Sequence, residues 1–229
     1  MHNKSNKALV LLSGGLDSSV VLSICSRKKY QIYAISFDYG QRHKIELENA
    51  RWQANYFNCK IHEIFKIEFY GGSALTDNIE VPQNRSVETI PDDIPITYVP
   101  SRNIVFLSYA CGYAEINDID NIYLGVNSLD YSGYPDCRKE FIDRFEDLIN
   151  NSTKKGLEGR KFKINTPLID MTKAQIIQLG KNNNVNFAMT LSCYNPEKKY
   201  PCGKCDSCLL RQRGFEEAGL KDPLKNYII

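Results

Sequence analysis

The strongest constraint on the fold of this chain is a junction near its start, where a short apolar run meets a glycine turn. Ala8-Leu9-Val10-Leu11-Leu12 is continuous rather than alternating, the pattern of a strand buried on both faces of a parallel sheet. Ser13-Gly14-Gly15-Leu16-Asp17-Ser18-Ser19 follows at once, and over residues 17–28 Val20, Val21, Ile24 and Cys25 recur at helical spacing. Strand, glycine turn and helix in this order begin a β–α crossover unit. Glycines let the backbone turn tightly and bring N–H groups close to a ligand, and the start of a helix adds unsatisfied donors with partial positive charge. The hydroxyls of Ser13, Ser18 and Ser19 supply further donors for phosphate oxygens. The spacing fits neither a Walker loop, which ends in Gly-Lys-Ser/Thr, nor the G-x-G-x-x-G dinucleotide fingerprint. A serine-rich helix cap is the plainer alternative.

The same alternation continues along the chain. Strands are expected over residues 32–37, 61–67 and 121–126, and helices over 44–57, 103–117, 138–151, 175–183 and 208–218, with Thr172 placed to cap the fourth of these. This pattern predicts an α/β fold with a doubly wound, mostly parallel sheet covered by helices on both faces. Between residues 70 and 100 it lapses, interrupted by Gly71, Gly72, Pro82, Pro91, Pro95 and Pro100, and a loop of that length is expected to act as a lid. Residues 1–185 are expected to form the main domain and 186–229 a small C-terminal segment packed on it.

That segment holds four of the chain's eight cysteines, spaced Cys193-x8-Cys202-x2-Cys205-x2-Cys208. A secreted disulfide scaffold is disfavoured. The only apolar run near the N-terminus is too short for a signal sequence, and 229 residues with 42% hydrophobic content can bury a core without staples. A cytoplasmic, reduced setting follows as the expectation, in which clustered cysteines point to metal. Four sulfurs with Gly203 to turn the knuckle suit a closed, structural Zn2+ site, with an iron–sulfur cluster as the alternative. The balance of 29 Lys+Arg against 27 Asp+Glu argues against a protein built to grip a nucleic-acid backbone. No run approaches the length of a membrane span, so neither nucleic acid nor membrane is expected as a partner.

The glycine loop resembles the S-G-G-x-D-S-S/T pyrophosphate loop of the ATP pyrophosphatases. That resemblance implies a Rossmann-like fold of adenine nucleotide alpha hydrolase type. It also implies an ATP-binding segment running through Leu12, Ser13, Gly14, Gly15, Leu16, Asp17, Ser18, Ser19, Val20, Val21 and Leu22, with Mg2+ accompanying ATP and Asp17 a candidate for its surroundings. Further segments resemble one family within that group, the 7-cyano-7-deazaguanine synthases of the queuosine pathway. They are Phe37-Asp38-Tyr39-Gly40-Gln41-Arg42-His43, Tyr98-Val99-Pro100-Ser101-Arg102-Asn103, the run from Gly125 to Arg138, Thr166-Pro167-Leu168, Thr172-Lys173, Ser192-Cys193-Tyr194 and Asp222-Pro223. The matches cover nearly the whole chain.

The resemblance implies conversion of 7-carboxy-7-deazaguanine, ammonia and ATP to the nitrile preQ0, by a homodimer. A carboxylate becomes electrophilic once its oxygen is part of a phosphate leaving group, and ammonia then gives the amide. Repeating the activation on the amide oxygen gives the nitrile. The pyrophosphate loop favours AMP and pyrophosphate as products, although the family is often written as yielding ADP. Asn127, Asp130, Ser132, Tyr134, Asp136 and Arg138 follow a strand end, where parallel sheets place ligand contacts. They are expected to read the deazapurine edge and its carboxylate, Asp136 or Asp130 accepting from the guanine-like N–H groups. Lys173 and Arg102 are candidates to neutralise phosphate. His43 is a candidate for phosphate binding or proton transfer, its plainer reading a solvated polar residue. Cys137 invites a thioimide, but a structural role is expected, since ATP already supplies activation. Cys25, Cys59 and Cys111 read as ordinary positions. The rival readings are a tRNA-thiolating enzyme sharing the loop and a zinc-knuckle nucleic-acid-binding module.

Overall fold

The apolar pentad supplies the central strand of a five-stranded sheet in the computed structural model, which describes residues 6–42, 44–68, 71–85, 93–128, 133–197 and 200–224. The strands are β1 (Lys7–Leu11), β2 (Gln31–Asp38), β3 (Ile61–Lys66), β4 (Asn121–Tyr123) and β5 (Lys163–Asn165), in the order β3-β2-β1-β4-β5. Every pairing is parallel. The helices are α1 (Leu16–Arg27), α2 (Ile45–Tyr56), α3 (Arg102–Ile116), α4 (Lys139–Ser152), α5 (Lys154–Leu157), α6 (Lys173–Asn182) and α7 (Asp206–Glu217).

Strand residues alternate between two cores, as a period of two demands. Leu9 and Leu11 join Ile35, Ile122 and Ile164 under α3 and α4, packing with Leu107, Ala110, Ile142 and Phe145. Ala8 and Val10 join Ile32, Ala34 and Tyr123 under α1, α2 and α6, packing with Val20, Ala50, Ile176 and Ile177. Helices therefore cover both faces, and the expected doubly wound sheet is what the chain forms. Phe215 of α7 enters the second core, so the C-terminal segment shares the main core. Arg211, buried in α7, pairs with Asp222 at 2.7 Å and donates to the carbonyls of Thr190 and Phe187. No helix among the described residues is long and apolar enough to cross a membrane.

Thr172 caps α6 as expected, in a reciprocal capping box with Gln175. β4 ends at Tyr123 rather than residue 126, because the chain there leaves the sheet to line a cleft. The short elements α5 and β5 were not expected. β5 offers a single buried residue, Ile164, too little for a periodic signal. The described parts of the expected lid are tied down. Ala74 N donates to the Ile96 carbonyl, Arg42 N to that of Leu75, and Asn84 N to that of Lys204. Tyr70 and residues 86–92 lie outside the described residues.

With β1→β2→β3 wound one way and β4, β5 the other, the winding reverses between β1 and β4. A crevice opens at such a point, outside the carboxyl ends of the strands.

Candidate active site

The glycine loop fills that crevice. Gly14 has φ +84°, and a Cβ there would sit 1.9 Å from the Glu46 carbonyl oxygen on α2, so only glycine fits. Gly15 is the N-cap of α1 and has no side-chain cap of its own. Ser13 Oγ and Ser18 Oγ lie 3.0 Å apart, and the Ser18 and Ser19 hydroxyls donate to the Gly15 carbonyl. Gly125, just beyond β4, lies so close to the start of α1 that a Cβ would come within 3.0 Å of Ser18 N. The segment before the cysteine centre closes the other side, where Leu191 N donates to the Gly14 carbonyl and Leu16 N donates to Ser192 Oγ.

Beyond the loop, α6 directs Lys173 at the first turn of α1. Its Nζ donates to both carboxylate oxygens of Asp17, at 2.8 and 2.9 Å, from a position 8% exposed. Arg102, the first residue of α3, faces the cleft that the glycine loop lines, its guanidinium 5.9 Å from the ring centre of Tyr39. Ser101 before it takes the left-handed conformation, with φ 56°.

The sequence-predicted residues of the β4 loop take different places. Asn127 and Tyr134 line the cleft. Asn127 Nδ2 also donates to the carbonyls of Leu168 and Met171, binding the loop to the start of α6. Tyr134 Oη lies 2.7 Å from Thr97 Oγ1, joining the loop to residues 93–100. Asp136 is buried behind the wall, where Oδ2 accepts from Asn103 N in the first turn of α3. That carboxylate therefore fixes the helix that carries Arg102. Arg138 is exposed at the N-cap of α4. Asp130, Ser132 and His43 lie outside the described residues. Cys137 lines the cleft, and burial pushes its thiol up to about 12, so it is held as a neutral thiol receiving Asn103 Nδ2.

The later part of the expected ATP-binding segment lies away from the cleft. Val20, Val21 and Leu22 are fully buried in the core beneath α1 and present nothing to the cleft. Ser19 is likewise buried, its hydroxyl spent on the Gly15 carbonyl. The loop's reach ends with the first turn of the helix, because the following turn is where α1 meets the sheet.

The carboxyl end of β2 contributes residues that motif reading quoted but gave no role. Tyr39 N donates to Gln41 Oε1 at 2.8 Å, and Gln41 Nε2 donates to the Phe37 carbonyl and to Glu46 Oε1 at 3.3 Å. Glu46, half-buried in the cleft wall, is pushed up to about 7 by burial, against the opposing pull of Arg102 and Gln41. The order of strands would have revealed these residues, because ligands gather at the ends of the strands flanking a switch point.

Cys193, Cys202, Cys205 and Cys208 converge, with all sulfurs within 4.8 Å of one another. Cys193 and Cys205 sulfurs are 4.0 Å apart, near the edge of about 3.8 Å that bonds of about 2.3 Å give in a tetrahedral zinc site. Gly203 has φ 72°, the turn the knuckle needs. Backbone N–H groups of Tyr194, Asn195, Cys202 and Lys204 point at the sulfurs, as donors do around thiolates. The thiols set one another's ionisation, Cys202 and Cys205 being lowered and Cys193 and Cys208 raised by their shared hydrogen bonds. Four thiolates so close require a cation to coexist, and the donor set fits Zn2+. Ala74 and Val81 pack against the cluster, so residues 71–85 form part of its wall. Cys193 and Tyr194 in turn line the cleft, which makes the cysteine knuckle one side of the candidate active site.

Residues 7–219 match the family described as "Queuosine biosynthesis protein QueC". The chain is 53% identical over 220 residues to the 7-cyano-7-deazaguanine synthase of Acetivibrio thermocellus, covering 96% of this chain and 97% of that one. It is 50% identical over 226 residues to the 7-cyano-7-deazaguanine synthase of Desulfatibacillum aliphaticivorans, covering 97% of each. Among solved structures it resembles an NMN synthetase from Francisella tularensis at 14% identity and a TM-score of 0.52, over 96% of this chain and 79% of that one, a likeness of fold.

Proposed function

The chain belongs to the QueC family of queuosine biosynthesis proteins, and on that premise we propose that it is an ATP-dependent C–N ligase making 7-cyano-7-deazaguanine from 7-carboxy-7-deazaguanine and ammonia. The observation that carries this reading is the meeting, in one crevice, of a glycine loop at a helix start, the Asp17 carboxylate of that start held from behind by Lys173, and a second wall from the β4 loop. The N-terminus of α1 receives the pyrophosphate end of ATP, and Lys173 offsets its charge. ATP brings Mg2+, and Asp17 is the carboxylate nearest the loop. Arg102 faces the charge that develops where the substrate carboxylate meets the α-phosphate. Asn127 and Tyr134 shape the wall against which the deazapurine lies. Asp136 acts at one remove, by holding α3 in place. The four cysteine thiolates would hold a Zn2+ ion whose shell is closed, so its contribution is structural.

The enzyme works in the cytoplasm as a homodimer and uses ammonia as its nitrogen source. The near-balance of acidic and basic residues supports a small-molecule substrate rather than nucleic acid.

Incubation with ATP, Mg2+, ammonium and the deazaguanine acid is expected to give the nitrile by mass spectrometry, with AMP and pyrophosphate by chromatography. No nitrile from folded, metal-loaded protein would overturn the substrate; ADP as the sole nucleotide product would overturn the adenylate step. Gly14→Ala is expected to weaken ATP binding about tenfold or more, since a left-handed alanine costs about 1–3 kcal/mol and here also meets the Glu46 backbone. Equilibrium titration with ATP reads this directly, and an unchanged Kd would remove the loop from the binding site.

A further inference from the structure

Forming a nitrile from ammonia strips all of its hydrogens from one nitrogen, so the site needs a base beside the carbon being attacked. Among the described residues the cleft wall holds few groups able to act as one. Asp17 has both oxygens engaged by Lys173. Cys137 stays a neutral thiol, and the phenols of Tyr39 and Tyr134 are also held up by burial. Cys193 belongs to the four-cysteine cluster. No histidine lines the described wall.

Glu46 remains. Its backbone abuts Gly14, so its position is locked to the glycine loop. Its carboxylate is oriented by Gln41 Nε2, whose own amide is fixed by Tyr39 N and the Phe37 carbonyl. We propose that Glu46 is a catalytic residue, the general base that takes protons from the ammonia nitrogen as it becomes amide and then nitrile. This rests on the reaction assigned above.

In the first stage the nitrogen lone pair forms the C–N bond to the acyl-adenylate. One proton passes from nitrogen to the Glu46 carboxylate, and the carbon–oxygen bond breaks with its electron pair leaving on AMP. Glu46 returns that proton to solvent. After the amide oxygen is activated by a second ATP, the two remaining nitrogen protons leave by the same route. The second carbon–oxygen bond then breaks to AMP, leaving the triple bond. A carboxylate that titrates close to neutrality suits this cycle of taking and releasing protons. The charged and titratable groups acting on it are Arg102 from α3 and Tyr39 from the loop after β2, and Arg42 and the glycine loop's Asp17 line the same cleft.

The test compares wild type with Glu46→Gln, which keeps the shape and can still accept from Gln41. Free ammonia is held constant across pH, so that ammonium ionisation adds no slope. Wild type is expected to show an acid limb in kcat/KM with a midpoint near pH 7. Glu46→Gln is expected to lose about 100-fold or more in kcat, to flatten that limb, and to retain ATP affinity. A variant within about threefold of wild type, or one whose loss is matched by lost ATP affinity, overturns the proposal. Should the variant fail to fold, a wild-type profile that is flat between about pH 6 and 8 overturns it equally. Absence of nitrile with wild type would instead strike the underlying reaction.

Discussion

Cys205→Ser is expected to release the metal, lower thermal stability substantially and abolish nitrile formation, although Cys205 does not line the cleft. Cys205 is fully buried at the centre of the cluster, with Ala74 and Val81 against it. Metal binding in a closed thiolate site is folding free energy, about 10–16 kcal/mol for small zinc-dependent modules. Here the main core folds around its own sheet, so only part of that would be lost. A loss of about 4 kcal/mol already lowers the midpoint by about 8–16 °C in a chain of this size.

Activity should fall further than stability alone requires. Leu191 and Ser192 hydrogen-bond directly to the glycine loop, and Gln83 and Asn84 pair with Cys205 and Lys204. Loosening the knuckle therefore frees one wall of the ATP site and the anchored part of the 70–100 loop together. Metal content by elemental analysis, the melting midpoint and ATP affinity are the three readings. One bound metal per chain retained with a midpoint within about 2 °C of wild type would show that the cluster does not hold the segment.

The fold was legible from the first junction onward because buried parallel strands and helix starts leave strong local marks. The run at residues 8–12 and the glycine turn predicted β1 and α1, and Thr172 with Gln175 marked α6. β5 and α5 were not legible, since Lys163–Asn165 and Lys154–Leu157 are shorter than any periodic window and take their form from neighbours. The cysteine cluster was readable from spacing alone. The rest of the site was readable only in part, because its walls come from strands distant in sequence. Glu46 lies one helix beyond β2 and meets Gly14 only through the packing of α2 on α1. Asp136 looked like a ligand contact by its place after β4, but the first turn of α3 takes one of its oxygens. Val20, Val21 and Leu22 continue the loop in sequence and face the core in space.

Lys173→Met is expected to lower kcat/KM for ATP by about 100- to 1,000-fold, the range for removing one charge-stabilising group from a closed site. The same change strands the Asp17 carboxylate, which is 18% exposed on its side chain, beside a buried methionine. Breaking a buried ion pair from one side costs about 3–5 kcal/mol, and the residual water around Asp17 puts this pair near the lower figure. Stability and activity can be separated with a second substitution. Asp17→Asn combined with Lys173→Met removes both charges, so unfolding in denaturant should recover most of the lost stability. Activity should not recover, because the positive charge proposed to offset the phosphates is still missing. The two measurements therefore move apart: coupling between Asp17 and Lys173 is large in folding and absent in turnover. If the double variant regains activity in step with stability, Lys173 serves only to neutralise Asp17, and the offset of phosphate charge must come from Arg102 or from the Mg2+ that ATP brings.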